Sequence, residues 1–167
     1  MSKTASPLDG IICIDFVNGS GPGQPAEAPS VRRLRTLLTR ILRAEAAGTG
    51  AAETDLAALN RLLARAGANR GIRPAVRGYG WDWIDPADGE MVALWSPAFS
   101  AARLLAGPDL FRLSACGECG RLYLDRSPNR SRRWCDMAAC GTRAKVRRHR
   151  DRIRAASRSG PPHLKAE

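Results

Sequence analysis

The sequence predicts an α+β fold in which a domain of helices and a hairpin precedes a small cysteine-containing module ending in a basic helix. Three observations predict it: two leucine-rich stretches with helical spacing, a stretch near residue 80 with strand-and-turn grammar, and a last third that holds four of the five cysteines. With 167 residues, 44% hydrophobic and 26% charged, the chain has the composition of a folded protein of one ordinary domain or two small ones. The N-terminal apolar run is short and broken by Asp15, which fits neither a secretory leader nor a membrane span, and a cytoplasmic protein is expected.

Leu8–Asn18, LDGIICIDFVN, reads as a buried strand or an irregular apolar start. Gly19–Pro29 is a loop by composition. Ser30 then reads as the N-cap of a helix through about Ala47, with Val31, Leu34, Leu37, Leu38, Ile41 and Leu42 at steps of three and four and Gly48 as the stop. A second helix follows over about Ala51–Ala66, with Leu56, Leu59, Leu62 and Leu63 on its apolar face and Gly67 behind it. Between Ile72 and Trp95 the pattern predicts a hairpin, with Tyr79, Trp81 and Trp83 on one arm, Met91, Val92, Leu94 and Trp95 on the other, and DPADG, Asp85–Gly89, as the turn. Ser96-Pro97 should open a helix carrying Phe99, Leu104 and Leu105 up to Gly107-Pro108. The expected domains are residues 8–107, residues 110–158 and a flexible tail over 159–167.

Charge switches at the same boundary. Residues 1–109 carry 12 Lys/Arg against 11 Asp/Glu, whereas residues 110–167 carry 15 against 5. Nearly all of the net charge of +11 therefore sits in the last third, which favours a polyanionic partner, most simply nucleic acid.

Cys116-x2-Cys119 and Cys135-x4-Cys140 have metal-ligand spacing. A two-residue gap lets one turn aim both sulfurs at one ion, and Gly117 and Gly120 permit the backbone that turn needs. Stable disulfides are disfavoured in a cytoplasmic chain, and a redox reading of the first pair leaves the second unexplained. A structural zinc ion is therefore expected, and four thiolates argue against catalysis at the metal, because a hydrolytic zinc keeps a position open for water. Cys13 reads as a plain buried thiol. Leu113, Leu122, Tyr123, Leu124, Trp134, Met137, Val146 and Ile153 are too few for an independent core, so the metal must supply folding free energy.

A helix over about Ala138–Ser157 is expected to begin at the second pair, with Cys135 before its first turn and Cys140 inside it. On it Val146 and Ile153, with His149 beside them, form a stripe expected to face the cysteine module. Arg143, Arg147, Arg150 and Arg154 form one row, and Lys145, Arg148 and Arg152 a second. Arg130, Arg132 and Arg133 extend the positive surface into the loop ahead of Cys135. Arginine suits bidentate contacts to phosphate or guanine. Trp134 reads as a shield for the sulfurs rather than as a stacking partner.

The run Cys116-Gly117-Glu118-Cys119, Leu122-Tyr123-Leu124-Asp125, Arg132–Met137, Cys140–Lys145 and Arg147–Arg150 closely resembles the CGNR zinc finger family. Ile14-Asp15-Phe16-Val17-Asn18 and the helices after it are similar to the ABATE domain that precedes that finger in bacterial proteins assigned to transcription regulation. The resemblance implies zinc at Cys116, Cys119, Cys135 and Cys140 in a treble-clef-like finger, and DNA binding by that finger. Thr142 departs from the pattern, since the family has asparagine there. One hydroxyl replaces an amide, which bears on a cap or a base contact and not on the metal.

These features predict a nucleoid-associated DNA-binding regulator that is not an enzyme, with an N-terminal domain that dimerises the protein or senses a ligand. RNA is the alternative nucleic acid. An N-terminal domain that binds or transforms a ligand, with the finger as anchor, is the other alternative, for which Asp15, Asn18, Asp82 and Trp83 are the candidate pocket residues.

Overall fold

A computed structural model of the chain describes residues 11–19, 27–84 and 89–158. The expected tail over 159–167, which includes His163, lies outside them, as do residues 20–26 of the expected loop and 85–88 of the expected turn.

The first element among the described residues is a helix, α1 (Ile11–Asn18), and not the expected strand, whose residues 8–10 lie outside them. Its apolar run is too short for periodicity to separate the two states, and tertiary contacts decide. Cys13 and Ile14 are buried against the helix that contains Ser100, and the Ser100 hydroxyl accepts the Cys13 backbone N–H at 3.0 Å. That amide belongs to the first turn, whose N–H groups take partners from outside the helix. Burial pushes the Cys13 thiol up to about 11, partly offset by its hydrogen bond with Ser100.

Helix α2 (Pro29–Ala46) starts one residue ahead of the expected cap, with Ala28 at the N-cap and Pro29 in the first turn. The ring fixes φ where the first-turn N–H has no use. Leu34, Leu38, Ile41 and Leu42 are buried along one face. Gly48, at φ 73°, ends the helix as expected. Helix α3 (Glu53–Gly67) follows, and Arg40 of α2 pairs with Asp55 at 2.6 Å.

Strands β1 (Arg70–Pro74) and β2 (Tyr79–Trp83) form an antiparallel hairpin in the register Arg70↔Trp83, Ile72↔Trp81 and Pro74↔Tyr79. Its turn is Ala75–Gly78, with Gly78 at φ 76°. The expected second arm, Met91–Trp95, belongs instead to helix α4 (Gly89–Leu105), and Ser96-Pro97 lies inside that helix and not at its start. Trp95, Ala98, Ala101 and Leu104 recur at steps of three and are all buried, Trp95 against Trp83 and the other three in the main core, a helical periodicity that outweighs the proline. Trp83 packs on Trp95 and Phe99, with ring centroids 5.0 and 5.6 Å away.

After a 3-10 turn at Leu110–Arg112, β3 (Leu113–Ala115) and β4 (Leu122–Leu124) make a second hairpin; a π-turn at Met137–Gly141 then leads into α5 (Thr142–Arg158). Leu113 and Leu122 do not form a small core of their own. They are buried in one cluster with Cys13, Leu34, Leu38, Leu42 and Leu104, so the C-terminal hairpin completes the N-terminal core.

A side chain from α1 sets the register of that junction. Asn18 Nδ2 donates to the Leu122 carbonyl at 2.8 Å, and the Leu122 N–H donates to Asn18 Oδ1 at 3.0 Å. The amide thus pairs with β4 as a neighbouring strand would. Arg43 of α2 adds a bond to the Gly120 carbonyl at 3.1 Å. Asn18→Asp replaces a donor by an oxygen facing a carbonyl, and a loss of about 1–3 kcal/mol is expected for the unmade bond. Urea unfolding followed by tryptophan fluorescence checks this; an unchanged midpoint would mean that the pairing holds nothing together.

Candidate metal centre

The β3–β4 hairpin places the first cysteine pair. Its connection is the Cys116–Cys119 knuckle, closed by the Gly120 N–H on the Cys116 carbonyl at 2.9 Å and the Cys116 N–H on the Arg121 carbonyl at 2.8 Å. Gly120 sits at φ 71°, where an L side chain is strained. The second pair comes from the entry to α5. Asp136 caps the π-turn by accepting the Ala139 N–H at 2.7 Å, and that turn carries Cys140.

All four sulfurs lie within 4.8 Å of one another. Cys119 and Cys135 are 3.5 Å apart, Cys135 and Cys140 3.7 Å. Tetrahedral zinc with Zn–S bonds of about 2.3 Å needs sulfurs about 3.8 Å apart, so the donor set fits a thiophilic tetrahedral ion. Cys116 and Cys140 are buried, Cys135 is half-buried and Cys119 is exposed. Tyr123 is buried against Cys116 and Cys140, with Trp134 half-buried beside them, the shielding expected of that tryptophan.

The thiols differ in acidity. Burial raises Cys116, but the backbone amides of Cys135, Cys119 and Glu118 outweigh it and bring the thiol down to about 6. Cys135 is pushed up to about 12 by burial and by its neighbouring thiols, and burial raises Cys140 as well. A cation must displace protons from both of those sulfurs, and Arg143 stands ready to offset the resulting anionic charge, with Nη2 3.5 Å from Cys140 Sγ.

The loop between the two pairs is organised by Asp125, whose side chain is only 1% exposed. Its Oδ1 accepts from the Ser127 hydroxyl at 2.6 Å and the Ser127 N–H at 2.8 Å, and Oδ2 accepts the Arg132 N–H at 2.9 Å. Those bonds, the Ser127 hydroxyl foremost, hold the carboxyl below its usual range.

Several of the expected nucleic-acid residues are occupied within this framework. Arg132 bonds the carbonyls of Trp134 and Cys135, Arg130 bonds the Phe111 carbonyl at 2.9 Å, and Arg133 lies 5.7 Å over the Trp134 ring. Arg147 forms a two-point pair with Glu118 of the knuckle at 2.7 and 2.8 Å, so the helix is not without acidic partners outside itself. Arg148 turns back to the Ala144 carbonyl at 3.4 Å. The side chains of Lys145, Arg150, Arg152 and Arg154 make no hydrogen bond or ion pair to any described residue. The two rows do lie on separate flanks, Arg143, Arg147, Arg150 and Arg154 along one groove and Lys145, Arg148 and Arg152 along another. Val146 and Ile153 depart from expectation: they are 43% and 53% exposed, and His149 is exposed with them. Among the residues of α5 whose burial is described, only Ala144 is buried; past it the helix is tied to the finger through the Arg147–Glu118 pair.

The N-terminal candidates separate. Asp15 and Asn18 line a cavity of 340 Å³ between α1 and the finger, shared with Arg121, Tyr123, Cys135 and Asp136. Trp83 is not there; as the last residue of β2 it is held in the Trp95–Phe99 cluster. Asp82 accepts the Trp83 N–H at 2.8 Å.

The sequence model of the family described as "Putative stress-induced transcription regulator", ABATE, matches residues 12–108. The chain belongs to the ABATE family. The CGNR zinc finger model matches residues 112–153, which hold the four sulfurs and most of α5. The ABATE domain thus supplies α1 to α4, and the CGNR finger docks on it through Asn18, Arg43 and the shared core. No curated protein matches the chain. Neither family is an enzyme family. Among the described residues, no helix is long and apolar enough to cross a membrane.

Removing the metal with a chelator should abolish the α5 contribution to circular dichroism. It should also lower the melting temperature of the ABATE domain, because Leu113 and Leu122 belong to its core; an ABATE domain that melts unchanged would contradict the shared core. Metal affinity should rise with pH as Cys135 and Cys140 are freed of protons, measured by competition with a chelating dye. Asp125, with its pKa depressed in the folded state, contributes stability above the unfolded carboxylate range of about 3.9 and loses it as pH falls through its folded value. Asp125→Asn should therefore destabilise the protein at neutral pH and lessen its sensitivity to acid, read from urea midpoints across pH.

Proposed function

We propose that the protein is a DNA-binding transcription regulator in which zinc at Cys116, Cys119, Cys135 and Cys140 fixes α5 to the ABATE domain. The free cations of α5 then engage duplex DNA. The observation that carries the reading is the group Lys145, Arg150, Arg152 and Arg154, outward-facing and without partners among the described residues, on a helix of about 25 Å that projects from its anchor. A helix fits the major groove of B-DNA, and like charges along α5 repel one another until a polyanion neutralises them.

The arginines divide by role. Arg143 and Arg147, held by Cys140 and Glu118, set the direction of α5, while the distal cations contact phosphate. Thr142, exposed at the start of α5, offers one hydroxyl where the family offers an amide, and this bears on base preference. Filled by four thiolates, the zinc leaves no position for a reacting water, so the centre is structural and the protein acts by binding, in the cytoplasm on the nucleoid. A small ligand in the cavity beside Asp15 and Asn18 would act directly on the docking of the finger.

Duplex affinity measured by fluorescence anisotropy should fall with salt at a log–log slope of about −0.9 per phosphate contacted. Arg150→Ala with Arg154→Ala should reduce that slope by about 2 and leave bound zinc unchanged. Salt-independent binding, or wild-type affinity in the double variant, would overturn the reading.

A further inference from the structure

The β1–β2 hairpin overhangs the ABATE core with its aromatic face uncovered. Alternate residues share a face, so the register places Ile72, Pro74, Tyr79 and Trp81 on the side whose inner end packs Trp83 against Trp95 and Phe99. Beyond Trp83 that face is open: Trp81 is 56% exposed, Ile72 57% and Tyr79 78%. The Arg70 guanidinium sits 5.2 Å from the Trp81 ring and 4.6 Å from Phe99, which braces Trp81 from within and leaves its outer surface available. Arg70, Arg73 and Arg77 stand against Asp82 alone in this hairpin. Arg73 holds the Ile84 carbonyl, whereas Arg77, in the turn, has no partner among the described residues.

We propose that this hairpin is a second nucleic-acid contact, which takes unpaired bases of single-stranded DNA on Trp81 and Tyr79 and a neighbouring phosphate on Arg77. Interleaved aromatic and cationic groups are what single strands bind, since every base has a stacking face and every link a phosphate. A second copy of the chain suits the face less well, because two hairpins with this excess of arginine repel each other across a symmetric contact. The proposal rests on the reading of the protein as DNA-binding and extends it from duplex to opened DNA.

The test is anisotropy of a labelled oligothymidylate and of a fully paired duplex with the full-length, zinc-loaded protein. Trp81→Ala should weaken oligothymidylate binding about tenfold or more, the range of one lost stack, while Trp81→Phe keeps most of it and duplex affinity stays at the wild-type value. Arg150→Ala with Arg154→Ala should show the reverse pattern. Equal oligothymidylate affinity in Trp81→Ala would overturn the proposal, as would sedimentation in which Trp81→Ala converts a dimer to a monomer. Failure of duplex binding alone would sink the α5 reading and leave the hairpin result standing.

Discussion

Convergence of four sulfurs within 4.8 Å is the constraint on which the C-terminal third depends. Beyond residue 110 the chain has few apolar groups, and two buried leucines, Leu113 and Leu122, face the ABATE core. What remains around the sulfurs is Tyr123, with Trp134 half-buried beside it. Without an ion, burial and neighbouring thiols hold Cys135 and Cys140 protonated, and the knuckle is tied to α5 by the Arg147–Glu118 pair. With one, the two hairpin residues and the two helix-entry residues become a single rigid corner.

That corner explains why so many arginines are tolerated on one helix. Arg143 lies against a cysteine sulfur and Arg147 against Glu118, so the cations nearest the four sulfurs are neutralised locally and act as struts. Farther along, no acidic side chain of the finger among the described residues pairs with α5, and repulsion between its cations is what a bound polyanion would relieve. The same division applies ahead of Cys135, where Arg130 and Arg132 bond backbone carbonyls and shape the loop. Sequence makes all of these positions look alike; their partners make them different.

The metal site was legible in the sequence because a CxxC knuckle and a second pair at a helix entry are local features whose spacing carries the geometry. Helices α2 and α3 were legible for the same reason, each with a full apolar stripe. Helix α1 was not, since its eight residues carry no complete period and its first-turn amide is satisfied by Ser100, far away in the chain. Met91–Trp95 misled because a short apolar run after turn residues suits strand and helix equally. The Val146–Ile153 stripe misled because helical spacing says which residues share a face and not whether anything lies opposite. Asn18, Asp125 and Glu118 owe their roles to partners across loops or across the domain junction, and only the fold brings those together.

The central claim is that one ion, held by sulfur alone, fixes α5 to the ABATE domain. X-ray absorption at the zinc edge of the purified protein tests it most directly. One zinc per chain with four sulfur neighbours at about 2.3 Å is the predicted result, and it should become a mixed sulfur and oxygen shell in Cys140→Ser. A metal-free protein with native-like α5, or a zinc shell containing nitrogen in the unaltered chain, would contradict it.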